Sequence, residues 1–208
     1  MPKIVDHEQY RKELLMKCFD LFAQKGYAAI TMREIAKELN VSTGTLYHYF
    51  PNKEALFLQL VEEQTRQDIL NFIADAGDAK TLPERIEALM NFLAKNEDYF
   101  AKQILLGFDF YQQQQRTDIW NNKTLRKASE DTMQALSDYL QIQDQAVIDF
   151  ICNFLNGIIY RRMFEGEAVS LTEQGELLAQ MLTAYFNTQD KASSANGKTK
   201  NIYPHFPK

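Results

Sequence analysis

Apolar residues recur every three or four positions along most of this chain. That period matches one face of an α-helix, not the strict alternation of a half-buried strand. Leu14, Leu15, Cys18, Phe19 and Phe22 form the first such stripe, and Gly26 follows it as a natural stop. The pattern predicts a helix over about residues 6–25 and two short helices within 31–49. Longer helices are predicted over about 52–74, 81–95, 97–113, 117–140, 144–164 and 172–187. Thr31 with Glu34, and Thr81 with Glu84, have capping-box spacing. The expected fold is therefore all-α with about nine helices. After Thr188 the chain becomes small and polar and ends NIYPHFPK, which predicts a disordered tail over 188–208.

Residues 28–56, AAITMREIAKELNVSTGTLYHYFPNKEAL, carry the densest chemistry. Ile35, Ala36 and Leu39 give the first short helix an apolar face, and Asn40-Val41 makes a tight turn. Ser42 can cap a second helix through Tyr49, and Pro51-Asn52 ends it. This is the layout of a helix-turn-helix, whose second helix enters the major groove by its N-terminal end. Gly44 costs about 1 kcal/mol against Ala inside a helix, and a bare backbone there admits a phosphate or a base edge. Ser42, Thr43 and Thr45 offer short hydroxyls to bases or phosphates. Tyr47, His48 and Tyr49 pair a flat apolar body with a polar tip. Lys53 opens the next helix, where a cation opposes the helix dipole unless an anion is near. Leu39, Val41, Leu46 and Phe50 are read as core of the module.

The same stretch resembles the DNA-binding domain of the tetracycline-repressor (TetR) family of bacterial regulators. The resemblance covers about residues 7–60. It is most specific at Thr43-Gly44-Thr45-Leu46-Tyr47-His48-Tyr49-Phe50 and at Asn52-Lys53-Glu54-Ala55-Leu56. Ala23-Gln24-Lys25-Gly26-Tyr27 and Thr31-Met32-Arg33-Glu34-Ile35-Ala36 also fit. The resemblance implies an all-helical homodimer that binds a double-stranded DNA operator and is released by a small molecule. It implies a helix-turn-helix domain over 1–51 and an effector-binding and dimerisation domain over 52–187. Chemistry and family position together assign Tyr47, Lys53 and Thr31 to phosphates and Thr43, Thr45 and His48 to bases. Arg33 lies on the helix that crosses the backbone, where it reaches a phosphate or the groove edge.

Composition changes this picture little. With 208 residues and 45% hydrophobic content the chain can bury a substantial core. The formal net charge of −5 is unevenly spread. Residues 1–60 carry eight Lys+Arg against seven Asp+Glu, and residues 61–187 eleven against twenty. The N-terminal module is thus nearly neutral, and few phosphate contacts are expected per subunit. No apolar run reaches the ~18 residues of a membrane span, and the charged N-terminus lacks a signal-peptide core, so no membrane partner and a cytoplasmic location are expected. Cys18 and Cys152 stand apart on apolar stripes and read as core residues, not redox sensors. His7, His48 and His205 are scattered, so neither a metal nor a cofactor is expected.

The helix over 144–164 is apolar on two sides, with Val147, Phe150, Ile151, Phe154 and Ile158 on one stripe and Ile148, Cys152, Leu155 and Ile159 on another. Burial on both sides predicts one face on the core and one on a second subunit, joined by Leu178, Met181, Leu182, Tyr185 and Phe186 of the last helix. A central helix in a monomer is the alternative. Between residues 90 and 120, Phe92, Tyr99, Phe100, Phe108, Phe110, Tyr111 and Trp120 cluster. Most are core at this spacing. Phe92, Phe100, Phe108, Tyr111 and Trp120, with Phe154, are the candidates for lining an apolar effector pocket, with Gly107 as a kink that opens it. The effector is then lipophilic and flat or chain-like, and Arg85, Asp109 and Asn156 are candidate polar anchors. Two other classes remain on the sequence: an enzyme, for which no nucleophile–base pair or phosphate-cradling loop is visible, and a protein-interaction module, which would leave the hydroxyl and tyrosine pattern of 42–49 unused.

Overall fold

A computed structural model describes residues 6–195. Among the described residues there are ten α-helices, one 3-10 turn and no strand. They are α1 (His7–Lys25), α2 (Met32–Glu38), α3 (Thr43–Tyr49), α4 (Lys53–Asp75), α5 (Leu82–Lys95) and α6 (Glu97–Gln112), then α7 (Arg116–Asn121), α8 (Lys123–Leu140), α9 (Gln145–Glu165) and α10 (Leu171–Ala195). The 3-10 turn, Gly166–Ala168, joins the last two. Among the described residues no helix is long and apolar enough to cross a membrane.

Local chemistry explains most boundaries. Thr31 and Thr81 each form a complete capping box with Glu34 and Glu84. Gly26 ends α1 at φ 81, a backbone angle that disfavours side chains. One boundary departs from the apolar pattern. The helix predicted over 117–140 is two helices, because the Asn122 side chain accepts from the Thr124 and Leu125 amides and starts α8 afresh. The predicted tail is also corrected over residues 188–195, which continue α10. The remaining tail residues, 196–208, lie outside the described residues.

Two apolar clusters organise the packing. The N-terminal cluster gathers α1 to α3 with Leu56, Phe57 and Leu60 of α4, and takes Leu106 and Phe110 from α6. The C-terminal cluster runs from Phe72 of α4 through α5, α8, α9 and α10. Helix α4 therefore belongs to both, and its first half supplies part of the N-terminal core. Arg162 of α9 adds a half-buried tie, reaching Glu97 of α6 at 2.6 Å and the Val169 carbonyl before α10.

Five residues of the expected subunit interface lie in the interior of the chain instead. Val147, Ile151, Ile158, Leu178 and Leu182 are buried in their own subunit's core. Adjacent stripes on α9 lie about 100° apart and merge into one broad inward face, so both pack within the chain. What stays outside is Phe150, Tyr160 and Phe164 on α9, and Leu177, Met181 and Tyr185 on α10. Phe154 is half-buried against the C-terminal core. The two helices run antiparallel, with Tyr185 Oη 3.4 Å from Asp144 Oδ2.

Helix α10 lies directly along α5 because Gly175 has no side chain. A Cβ there would stand 2.7 Å from Met90 Cγ. Gly175→Val should cost about 1–3 kcal/mol of stability by overpacking, read as a lower urea midpoint. An unchanged midpoint would contradict the close approach.

Candidate nucleic-acid interface and its adjoining cavity

The turn between α2 and α3 is built by backbone geometry. Asn40 sits in the left-handed region at φ 54. The Val41 amide donates to the Ala36 carbonyl at 2.9 Å and the Asn40 amide to the Lys37 carbonyl at 3.1 Å. This pair of bonds is a Schellman motif, and asparagine tolerates the left-handed position it requires. Ser42 then caps α3 by accepting from the Thr45 amide at 2.9 Å. Leu46 and Phe50 are fully buried and fix α3 against the module, with Leu39 and Val41 packed at its edge.

With that face anchored, the opposite face of α3 is set. Thr43, Gly44, Tyr47 and His48 are exposed, at i, i+1, i+4 and i+5 on one helix face. A Cβ at Gly44 would meet only Ser42 Oγ at 3.6 Å, so the backbone there is open to a ligand. Arg33 is exposed on α2.

Four other predicted contact residues are engaged within the protein. The Ser42 and Thr45 hydroxyls bond each other at 2.8 Å. Thr31 is exposed, but its amide and hydroxyl both donate to Glu34 Oε2, at 2.8 and 2.7 Å. These bonds hold the Glu34 carboxyl below its usual range. Tyr49 is half-buried, turned towards α1, with its hydroxyl 2.7 Å from His7 Nδ1.

Lys53 corrects the argument that only an anion justifies a cation in the first turn of α4. Its ammonium donates to the Tyr27 and Ile30 carbonyls at 2.7 and 2.9 Å and to Ala28 at 3.4 Å. It also lies 4.5 Å from the Tyr27 ring centroid, within cation–π range. The three carbonyls of the α1–α2 loop replace the anion.

Behind the module lies a cavity of about 520 Å³ walled by α4 to α9. Of the predicted lining, Phe92, Phe100 and Tyr111 face it. Phe108 and Trp120 do not, being 53% and 66% exposed. Leu106 and Phe110 point inward, which turns Phe108 to the outer side of α6, and on α7 Ile119 faces the cavity in place of Trp120. Phe154 packs in the C-terminal core instead. Gly107 lines the cavity, but α6 runs through it unbroken. Asn156 is on the wall, whereas Arg85 serves the Ala79 and Leu140 carbonyls. Asp109, also expected as an anchor, instead accepts from the Ala28 amide at 3.1 Å and joins α6 to the α1–α2 loop.

A polar group on the wall has little signal in the sequence. Asp68 Oδ1 accepts from the Tyr99 hydroxyl at 2.8 Å, and Oδ2 from Gln103 Nε2 at 2.9 Å. Burial pushes the Asp68 carboxyl up, and those two bonds oppose the shift. A lone carboxylate one turn before Phe72, on the α4 face that also carries Val61, Gln64 and Thr65, was the available clue. Burial also pushes the Cys18 thiol up to about 12, consistent with an inert core residue.

Comparison with known proteins agrees with this geometry. The family of bacterial regulatory proteins of the tetR type matches residues 15–60. The uncharacterized HTH-type transcriptional regulator YuxN of Bacillus subtilis is 34% identical over 105 residues, covering 48% of this chain and 36% of that protein. The chain spans about half the length of the curated relatives it matches, for example 48% of the regulator PksA of Bacillus subtilis. Among solved structures, a transcriptional regulator of Saccharomonospora viridis bound to choline has a TM-score of 0.64 at 16% identity, covering 85% of this chain and 97% of that one. The regulator FadR of Bacillus subtilis bound to stearoyl-CoA has a TM-score of 0.62 at 18% identity, covering 83% and 97%. The fold is shared with these solved regulators, and the family match falls on the helix-turn-helix. The part of this chain that holds α2 and α3 is similar to the tetR family of bacterial regulatory proteins.

Lys53→Met should lower stability by about 1–3 kcal/mol even without DNA, because it strips donors from half-buried carbonyls. Thermal denaturation of the DNA-free protein checks this. An unchanged melting temperature would return Lys53 to a role seen only on DNA.

Proposed function

We propose that this chain is a DNA-binding transcriptional regulator: a homodimer that reads a palindromic operator with two α3 helices and is released by a lipophilic effector. The observation that carries this reading is the outward face of α3, where Thr43, Gly44, Tyr47 and His48 are exposed beside a capped helix start. In this reading Thr43 and His48 meet base edges, and Tyr47, Thr31 and Arg33 meet the phosphate backbone. Ser42 and Thr45 hold the helix start. Tyr49 sets α3 against α1.

The exposed faces of α9 and α10 supply the dimer contact in this reading. Phe150, Met181 and Tyr185 lie there with Leu177 and Phe164. Gly157 adds an open backbone, since a Cβ there would meet nothing within 4 Å. A second copy of the same antiparallel pair completes a four-helix contact, and two-fold symmetry matches a palindrome with half-sites about 34 Å apart.

Release works through the shared wall. Phe57, Leu106 and Phe110 belong to the N-terminal core and also line the cavity. Asp109 binds the Ala28 amide from the same stretch of α6. An effector that fits the cavity better in one placement of α6 shifts the recognition module, provided its affinity differs between the two states.

The test is selection of bound genomic fragments by the purified, ligand-free protein. Enrichment of a palindrome is expected, and no enrichment from a confirmed dimer would overturn the reading. Thr43→Ala should change sequence preference, whereas equal loss across all operators would reassign Thr43 to the backbone. Phe150→Glu with Met181→Glu, both at exposed positions, should give a folded 24.2 kDa monomer with much weaker operator binding. Sedimentation distinguishes this from a dimer that persists elsewhere.

A further inference from the structure

The cavity wall is mostly apolar with a few neutral polar side chains, and its single charged lining residue among the described residues is Asp68. Asp68 makes no ion pair there: its two oxygens are held by neutral donors, the Tyr99 hydroxyl at 2.8 Å and Gln103 Nε2 at 2.9 Å. Both donors also bond each other, at 2.9 Å, so the carboxylate is fixed in position with no cation to neutralise it. Holding a carboxylate beside apolar walls with neutral donors alone is costly, and a ligand of opposite charge would offset that cost.

The neighbours of Asp68 fit the same ligand charge. Phe72 lies one helical turn along α4, on the same face. Its ring centroid is 5.3 Å from that of Phe92, which is 5.9 Å from that of Phe100. All three rings line the cavity. Ring faces attract cations, so an aromatic wall beside a carboxylate favours a positive head group over a negative or neutral one. The cavity's apolar remainder accepts a hydrocarbon or aromatic body.

We infer that the effector is a lipophilic cation, its positive head held by Asp68 against the Phe72, Phe92 and Phe100 rings and its apolar body in the rest of the cavity. This rests on the ligand-released regulator reading and adds the charge of the ligand to it. Because Asp68 stands on α4, between that helix's contacts with the two clusters, the head group would act on the element that joins them.

Three probes with one chain length separate the head groups: dodecyltrimethylammonium, dodecanol and dodecanoate, each titrated calorimetrically below its micelle concentration into the full-length protein. The wild type should bind the cation at least about tenfold more tightly than either other probe, ~1.4 kcal/mol. Asp68→Asn keeps the size of the side chain and an acceptor for Tyr99. It should remove that preference, with dodecanol affinity unchanged and the melting temperature no lower. Dodecanoate or dodecanol binding as tightly as the cation, no binding of the cation, or an unaltered preference in Asp68→Asn would each overturn the inference. Operator affinity of both proteins without probe is measured in parallel and should be equal. Loss of operator binding in both refutes the regulator reading alone, since the head-group preference is read from calorimetry without DNA.

Discussion

The contact on which the rest depends is the stacking of Phe57 on Phe110, with ring centroids 4.1 Å apart and planes 14° from parallel. Phe57 comes from the start of α4 and Phe110 from the end of α6, and both are buried. Tyr27 closes the group edge-on, at 5.2 Å from Phe57 and 5.1 Å from Phe110. Burying such rings contributes about 1.5–3 kcal/mol each, and the pairing roughly 0.5–1.5 kcal/mol more. The N-terminal module therefore does not finish its own core. It borrows two side chains, Leu106 and Phe110, from a helix that also walls the cavity.

That sharing gives the α1–α2 loop an unusual position. Residues 27–30 are held from one side by Lys53 through three carbonyls and from the other by Asp109 through the Ala28 amide. Lys53 lies at the start of α4 and Asp109 near the end of α6. Movement of α6 relative to α4 must strain this loop or break one of its ties. In the proposed mechanism that is where occupancy of the cavity reaches the operator-reading face. The coupling then needs no long chain of contacts, since cavity and module share side chains.

The electrostatics of the two halves differ in kind. The module is near neutral, and its outward face offers hydroxyls, rings and an open backbone, not a dense cationic patch. Such a surface favours shape and base contact over long-range attraction. The cavity places one carboxylate in an apolar enclosure, where a single charge has more effect than it would on the surface.

The amino-acid sequence by itself determined most of the helices and the turn between α2 and α3, and carried the family resemblance of the N-terminal module. Those rest on local rules: the period of apolar residues, capping boxes at Thr31 and Thr81, and the short motif from Thr43 to Phe50. It also placed Leu46 and Phe50 inside the module, because their spacing follows from one helix alone. Tertiary structure decided the side chains whose roles depend on a second element. Lys53 meets carbonyls because the α1–α2 loop folds over it. Asp109 meets the Ala28 amide across 81 positions of sequence. Phe108 and Trp120 face outward because the phase of α6 and the break at Asn122 were set by packing and by a cap. Val147, Ile151 and Ile158 went to the core because α9 has neighbours on both of its apolar stripes. Asp68 became the charged point of a cavity only when Tyr99 and Gln103 were brought against it. Periodicity states that a residue lies on a face; which partner that face meets is a property of the whole chain packed together.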